Sequence, residues 1–214
     1  MIRILSVQIG RARAYPDPAA GAWRSAIAKS PVSGRVRVDS TGLEGDEQAD
    51  RRVHGGPDKA ILAYARKHYS RWRDIAGMES IGPGGFGENL TVEGLDESSV
   101  AIGDVWEVGS VRLEVCQPRG PCVKLARRWG QPELPRLVTE TASAGWYLRV
   151  LAPGALGAGD AIRVAASPQP AATVARVFRL GLGVERDPDS ARLLAATTAL
   201  CAGWQKKLRA ASLA

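Results

Sequence analysis

Cys122 is the residue of this chain best equipped for chemistry. It stands in the run CQPRGPCVKLARRWG, residues 116–130. There Pro121 suits the first position of a helix, where its missing N–H costs nothing, and Gly130 suits the left-handed residue that closes one. This spacing predicts that Cys122 lies in the first helical turn. The helix dipole, with Arg119 just before and Lys124 just after, favours a thiolate over a thiol. Such a thiolate is either a nucleophile or a soft metal ligand. The same residues also suit a small buried cysteine in an ordinary helix.

Two further stretches hold groups that could bind an anion. TGLEGDEQADRRVHGGPDKAILAY is dense in charge and glycine before it turns apolar. It supplies Arg51, Arg52, His54 and Lys59, on a loop that delivers into a buried strand, where binding groups often sit; the alternative is a solvated loop. IGPGGFGENLTVEGL places Gly82, Gly84 and Gly87 in a G-x-G-x-x-G pattern. A dinucleotide fingerprint needs a strand before it and a helix after it. Here Pro83 lies inside and a strand-like run follows, so that reading is rejected. The glycines let the backbone turn tightly or pass close to a ligand, and they deliver Glu88 and Asn89 at the mouth of a strand. A structural turn with a capping Asn is the alternative.

The elements that must hold these groups are short. Residues 1–10 alternate loosely (Ile2, Ile4, Val7, Ile9) and predict a strand. A Pro- and Ala-rich loop at 14–22 and the segment WRSAIAKSPV lead to a strand at 34–40, with Val36 and Val38 on one face. Residues 60–64 predict a buried strand, and 64–75 a helix closed near Gly77. NLTVEG predicts another strand. Residues 102–116 read as a hairpin turning at Gly109-Ser110, whose second strand runs into Arg119 and the Cys122 helix. A helix over 132–143, closed near Gly145, and strands at 146–151 and 160–165 follow. Many short strands with few helices predict a mainly β fold, a barrel with inserted helices, over residues 1–166. SPQPAAT has the composition of a linker. Helical patterns at 174–180, 190–198 and 203–211 then predict a small C-terminal three-helix domain, residues 172–214. Its apolar stripe (Leu193, Leu194, Leu200, Trp204, Leu208) needs a partner surface. Cys201 falls between helices and reads as structural.

Composition bounds the partners. The 214 residues suit one sizeable core with a small appendage. Apolar residues at 45% and charged ones at 24% are those of an ordinary globular protein. No apolar run approaches the ~18 residues of a membrane span, and the N-terminus lacks the pattern of an export signal, so a cytoplasmic location is expected. Three cysteines are too few and odd in number for a disulfide framework. With only two histidines, His54 and His68, and no Cys-x-x-Cys pair, a structural zinc site is not expected. Of the net charge of +7, residues 171–214 carry +4 (seven basic, three acidic), leaving +3 for the first 170. That is too thin for a nucleic-acid footprint, so local anion sites are expected instead.

The runs GLEGDEQADRRVHGGPDKA, GFGENLTVEGLDES, QPRGPCVKL and GWYLRVLAPG, in that order, resemble the MOSC (molybdenum cofactor sulfurase C-terminal) family. Within it they are most similar to the YiiM-like branch, associated with resistance to 6-hydroxylaminopurine. The resemblance covers nearly the whole chain, trailing helices included. It implies a β-barrel-like fold and a molybdenum cofactor, a pterin made strongly anionic by its dithiolene sulfurs and phosphate. The family's metal-binding cysteine falls on Cys122. Also implied are Lys29, Arg52 and His54 for the pterin and its phosphate, Asn89 and Arg119 for the pocket edge, and Glu88 as a proton source. Cys116 receives no role.

Three activities follow as expectations. The first is a reductase that removes oxygen from an N-hydroxylated base, with electrons from an external flavoprotein. No flavin, haem or iron–sulfur signature is present, so a donor protein is required, and the basic C-terminal helix (Lys206, Lys207, Arg209) is a candidate dock for it. Solubility or a homodimer contact would equally explain that charge. The second is a cofactor carrier or sulfur handler without turnover of its own. The third is a thiol hydrolase with Cys122 as nucleophile and His54 as base, which HGGP supports only superficially.

Overall fold

The computed structural model describes residues 1–16, 21–50 and 55–213. Its strands are β1 (Arg3–Ile9), β2 (Arg13–Tyr15), β3 (Trp23–Ser25), β4 (Ser30–Pro31), β5 (Arg35–Asp39), β6 (Gly42–Leu43), β7 (Ile61–Ala65), β8 (Leu90–Glu93), β9 (Val105–Val108), β10 (Val111–Pro118), β11 (Trp146–Ala152), β12 (Gly154–Gly157) and β13 (Ile162–Ala166). The helices are α1 (His68–Arg73), α2 (Val123–Trp129), α3 (Leu134–Thr141), α4 (Val174–Gly181), α5 (Pro188–Ala195) and α6 (Ala202–Ala211). The fold is mainly β with inserted helices, as the sequence predicts.

Eight strands form one curled sheet in the order β13-β9-β10-β11-β7-β8-β1-β4. Its pairs are antiparallel except β7 and β8, which run parallel. A parallel pair needs a crossover, and α1 with the glycine-rich loop supplies it. The sheet bends far enough for its ends to meet: the Ile4 N–H donates to the Asp160 carbonyl (2.9 Å) and the Ile162 N–H to the Ile2 carbonyl (3.1 Å). A second sheet, β12-β5-β6, flanks it.

Alternation explains β10, where Val111, Leu113 and Val115 are buried while Arg112 faces out. Between Val115 and Gln117 the register with β11 slips. This bulge puts Cys116, Gln117 and Pro118 all inside, and so aims the end of the strand into the protein. The hairpin turns at Gly109-Ser110 as expected.

Some boundaries differ. Tyr64 belongs to β7, not to the helix over 64–75, which begins only at His68; a β-sheet partner on each side outweighs local helix content here. The helix over 132–143 ends at Ala142, itself in the left-handed conformation (φ 52°), rather than near Gly145. Strand β12 follows Pro153 and has no signal of its own in the sequence.

The three C-terminal helices form where expected. Thr173 caps α4 by accepting from the Arg176 N–H (3.2 Å), and Asp187 caps α5 by accepting from the Ser190 N–H (3.0 Å). Their apolar faces join the same hydrophobic cluster as the sheet, through Val177, Phe178, Trp204 and Leu208. Leu193 does not belong to that stripe and is 74% exposed. The SPQPAAT stretch is tied to the sheet side, since the Ile102 N–H donates to the Ala172 carbonyl (2.9 Å) and the Val174 N–H to the Val100 carbonyl (2.8 Å). Among the described residues, no helix is long and apolar enough to cross a membrane.

Candidate functional site

The end of β10, the glycine loop, residues 46–49 and α6 converge on a cavity of about 450 Å³. Ile27, Leu62, Phe86 and Tyr147 give it an apolar lining. Five basic side chains and two acidic ones also line it, so its charge balance favours an anion.

Cys122 is half-buried and lies on the cavity wall. It does not occupy the first helical turn. It is the residue before α2, with extended backbone (φ −132°, ψ 117°), and its sulfur does not cap the helix. Upstream, the Arg119 N–H donates to the Gly145 carbonyl (2.9 Å), which ties the chain just beyond β10 to the residue before β11. Gly130 ends the helix in the left-handed conformation (φ 63°), as expected. Arg128 then holds α2 against the site by donating to the carbonyls of Ile27 and Gly84, both at 2.6 Å.

Arg119 and Asn89 also line the cavity. Arg119 is 6% exposed, with its guanidinium 5.8 Å from the centre of the Phe86 ring. Among the described residues no carboxylate pairs with it. It is close enough to Tyr147 to oppose the upward push that burial exerts on that phenol.

Lys29 lines the cavity too, but its ammonium is already paired with Asp46, and the two side chains are 7% and 4% exposed. Asp46 accepts two further bonds, from the Gly10 N–H (2.7 Å) and from Asn89 Nδ2 (2.9 Å). Asn89 Oδ1 in turn accepts from the Leu62 N–H (3.1 Å). One buried carboxylate therefore fixes both Lys29 and Asn89. Burial lowers the Lys29 pKa, and the Asp46 charge opposes that shift.

Glu88 is fully buried and stands outside the cavity wall. Its carboxylate accepts from the N–H groups of Gly84 (2.5 Å) and Phe86 (2.9 Å), from Thr91 Oγ1 (3.1 Å) and from the Tyr69 hydroxyl. It fastens the glycine loop rather than facing a ligand. Gly84 and Gly87 have φ of 84° and 77°, and a Cβ on Gly84 would sit 2.7 Å from the Lys29 carbonyl. These glycines serve the turn and its close packing.

Arg51, Arg52 and His54 lie outside the described residues. Lys59 lines the cavity. Cys116 and Cys201 are buried; the Cys116 thiol faces the Asp58 and Tyr147 carbonyls (3.2 and 3.5 Å), and burial raises its pKa. Two parts of the site escape sequence reasoning. Asp46 sits in the charge-dense loop but is not among the anion-binding groups that loop supplies, and Leu182, Trp204 and Lys207 come from the C-terminal helical segment. For these, only the need of the apolar stripe for a partner surface points towards the barrel.

A family model for the MOSC domain matches residues 50–163, which include Asn89, Arg119 and Cys122. The chain belongs to the MOSC domain family. Protein YiiM of Escherichia coli strain K12 is 36% identical over 96% of this chain and 90% of its own length. A protein named reductase from Gibberella moniliformis is 36% identical over 83% of this chain, which corresponds to 32% of that longer protein. The crystal structure of YiiM from Geobacillus stearothermophilus superposes with a TM-score of 0.82, at 28% identity, over 99% of this chain and 100% of the other. That of YiiM from Escherichia coli gives 0.79 at 27% identity, over 100% of this chain and 93% of the other. The likeness to these YiiM structures thus includes the C-terminal helices that help to wall the cavity.

Proposed function

We propose that this protein is a molybdenum-cofactor-dependent reductase of N-hydroxylated compounds, with the Cys122 thiolate as the protein's ligand to molybdenum. One observation carries the reading: Cys122 opens onto a cavity whose lining holds five basic and two acidic side chains. The donor set fits the cofactor. Among the described residues no group of three or more His, Cys, Asp or Glu could hold a metal ion. Cys122 offers one soft sulfur at the cavity wall, which suits a metal that carries dithiolene sulfurs of its own.

When bound, the cofactor supplies the two-electron chemistry that cleaves an N–O bond. The balance is R–NHOH plus two electrons and two protons giving R–NH2 and water, with the electrons from an external flavoprotein. The chain's own part is to bind and orient. Arg119 offers a guanidinium to an anion, and the Asp46 carboxylate holds Lys29 and Asn89 still. Phe86, Tyr147 and Leu62 give a planar base an apolar surface and exclude water. Glu88 lies behind the glycine loop, so protons come from solvent or from a cavity-lining group.

The test is metal and pterin content of protein made in a host that synthesises the cofactor, followed by reduction of 6-hydroxylaminopurine. Cys122→Ser should stay folded and lose most of its molybdenum. Wild-type metal content in that variant would remove the assignment.

A further inference from the structure

Two of the ammonium groups that line the cavity have no individual role in the reaction proposed above. Lys124 reaches the cavity from α2 and Lys207 from α6. Lys207 is exposed, and its Nζ lies 5.8 Å from the centre of the Trp204 ring, a contact that biases the side chain towards the cavity side of the helix. Trp204 is itself fixed: it packs against Phe178 with ring centres 5.9 Å apart, and a Cβ on Gly181 would come within 2.8 Å of it. Among the described residues, neither Lys124 nor Lys207 has a carboxylate partner. Lys29, by contrast, is buried and neutralised by Asp46.

The cavity thus combines a fixed group, Lys29 and Asn89 held by Asp46, with two ammonium groups on long side chains that no carboxylate holds. A cofactor that stays bound suits the first. Lysines on flexible stems, Lys207 exposed and Lys124 half-buried, steer an anion in and let it go again, which suits a ligand exchanged at every turnover. We infer that Lys124 and Lys207 form a subsite for a phosphate monoester carried by the substrate, so that the N-hydroxylated base is taken preferentially as its 5′-nucleotide. This rests on the reductase reading above. A phosphate monoester is also present on the pterin, so the test separates the two carriers.

The protein, made in a cofactor-producing host, is assayed with the ribonucleoside and the 5′-monophosphate of 6-hydroxylaminopurine. The ratio of their kcat/KM values should favour the monophosphate by about tenfold or more at low salt and shrink as salt rises. Lys207→Ala should cut that ratio about tenfold, Lys207→Arg should keep most of it, and pterin content should stay at the wild-type level. In parallel, calorimetric titration with AMP and adenosine should show tighter AMP binding that Lys207→Ala abolishes. Equal use of both substrates, or an unchanged ratio in Lys207→Ala, overturns the inference. So does loss of pterin in that variant with the ratio intact, which would assign Lys207 to the cofactor's phosphate. AMP binding that depends on Lys207, in protein from the cofactor-producing host that holds no molybdenum and reduces neither substrate, would retain the subsite while removing the reductase reading.

Discussion

Replacing Asp46 by asparagine should destabilise the fold by about 3–5 kcal/mol, the usual cost of removing one partner from a buried ion pair. Asp46 takes three donors at once: Lys29 Nζ, the Gly10 N–H and Asn89 Nδ2. The amide in its place would offer one acceptor oxygen and turn an NH2 group towards the remaining donors. Lys29, already depressed by burial, would lose its counter-charge and fall further below its ordinary 10.5. Between that folded value and 10.5 the unfolded chain would bind more protons than the folded one, so stability should rise with pH through this window. Urea denaturation of Asp46→Asn should show the full deficit near pH 7 and a smaller one near pH 10, and the thermal midpoint should drop by about 6–15 °C. Adding Lys29→Met should recover about 2 kcal/mol or more, because it removes the stranded ammonium. A loss under about 1 kcal/mol, independent of pH and not recovered by Lys29→Met, would refute the buried pair.

Glu88→Gln should cost about 1–3 kcal/mol, by weakening the bonds to the loop N–H groups. Burial raises the Glu88 pKa above 4.5, so this group's contribution is fully present below pH 4.5 and is lost as pH rises through the folded value; urea midpoints against pH should therefore have a flatter slope in the variant. Gly84→Ala, with φ of 84° and the Lys29 carbonyl 2.7 Å from the new Cβ, should destabilise by about 1–3 kcal/mol and reduce pterin retention. Leu208→Ala should cost about 2–5 kcal/mol, whereas Leu193→Ser should change stability by less than about 0.5 kcal/mol, since the former is fully buried and the latter 74% exposed. Arg119→Ala should lower pterin content, measured by fluorescence of the released pterin; unchanged content would remove Arg119 from the site.

Features that depend on a few neighbouring residues are legible in the chain itself: the 102–116 hairpin, the helix over 174–180 and the Gly130 stop. Tyr64 has helix-like neighbours, yet strand pairing on both sides of β7 outweighs them. Cys122 sits one residue ahead of the observed helix rather than in its first turn, because the chain is still extended at Cys122 and the helix begins only at Val123. Burial, which residue type alone does not foretell, decides the surroundings of two carboxylates: Asp46 holds two cavity residues, and Glu88, for which the family resemblance implies a proton source, is turned inward by the Tyr69 hydroxyl and two backbone N–H groups. Neither fate is visible without knowing what packs above each carboxylate.

The sharing of one apolar interior between the sheet and helices α4 to α6 has a consequence for how the molecule is made. Leu208 in α6 is fully enclosed, and the Cys201 N–H is held by the Cys116 carbonyl at 3.0 Å. A growing polypeptide cannot complete this interior until α6 has left the ribosome. Until then Phe178, Val177 and the surface they cover stay open to other nascent chains, so a stop codon ahead of α6 should yield material that aggregates rather than a smaller working protein.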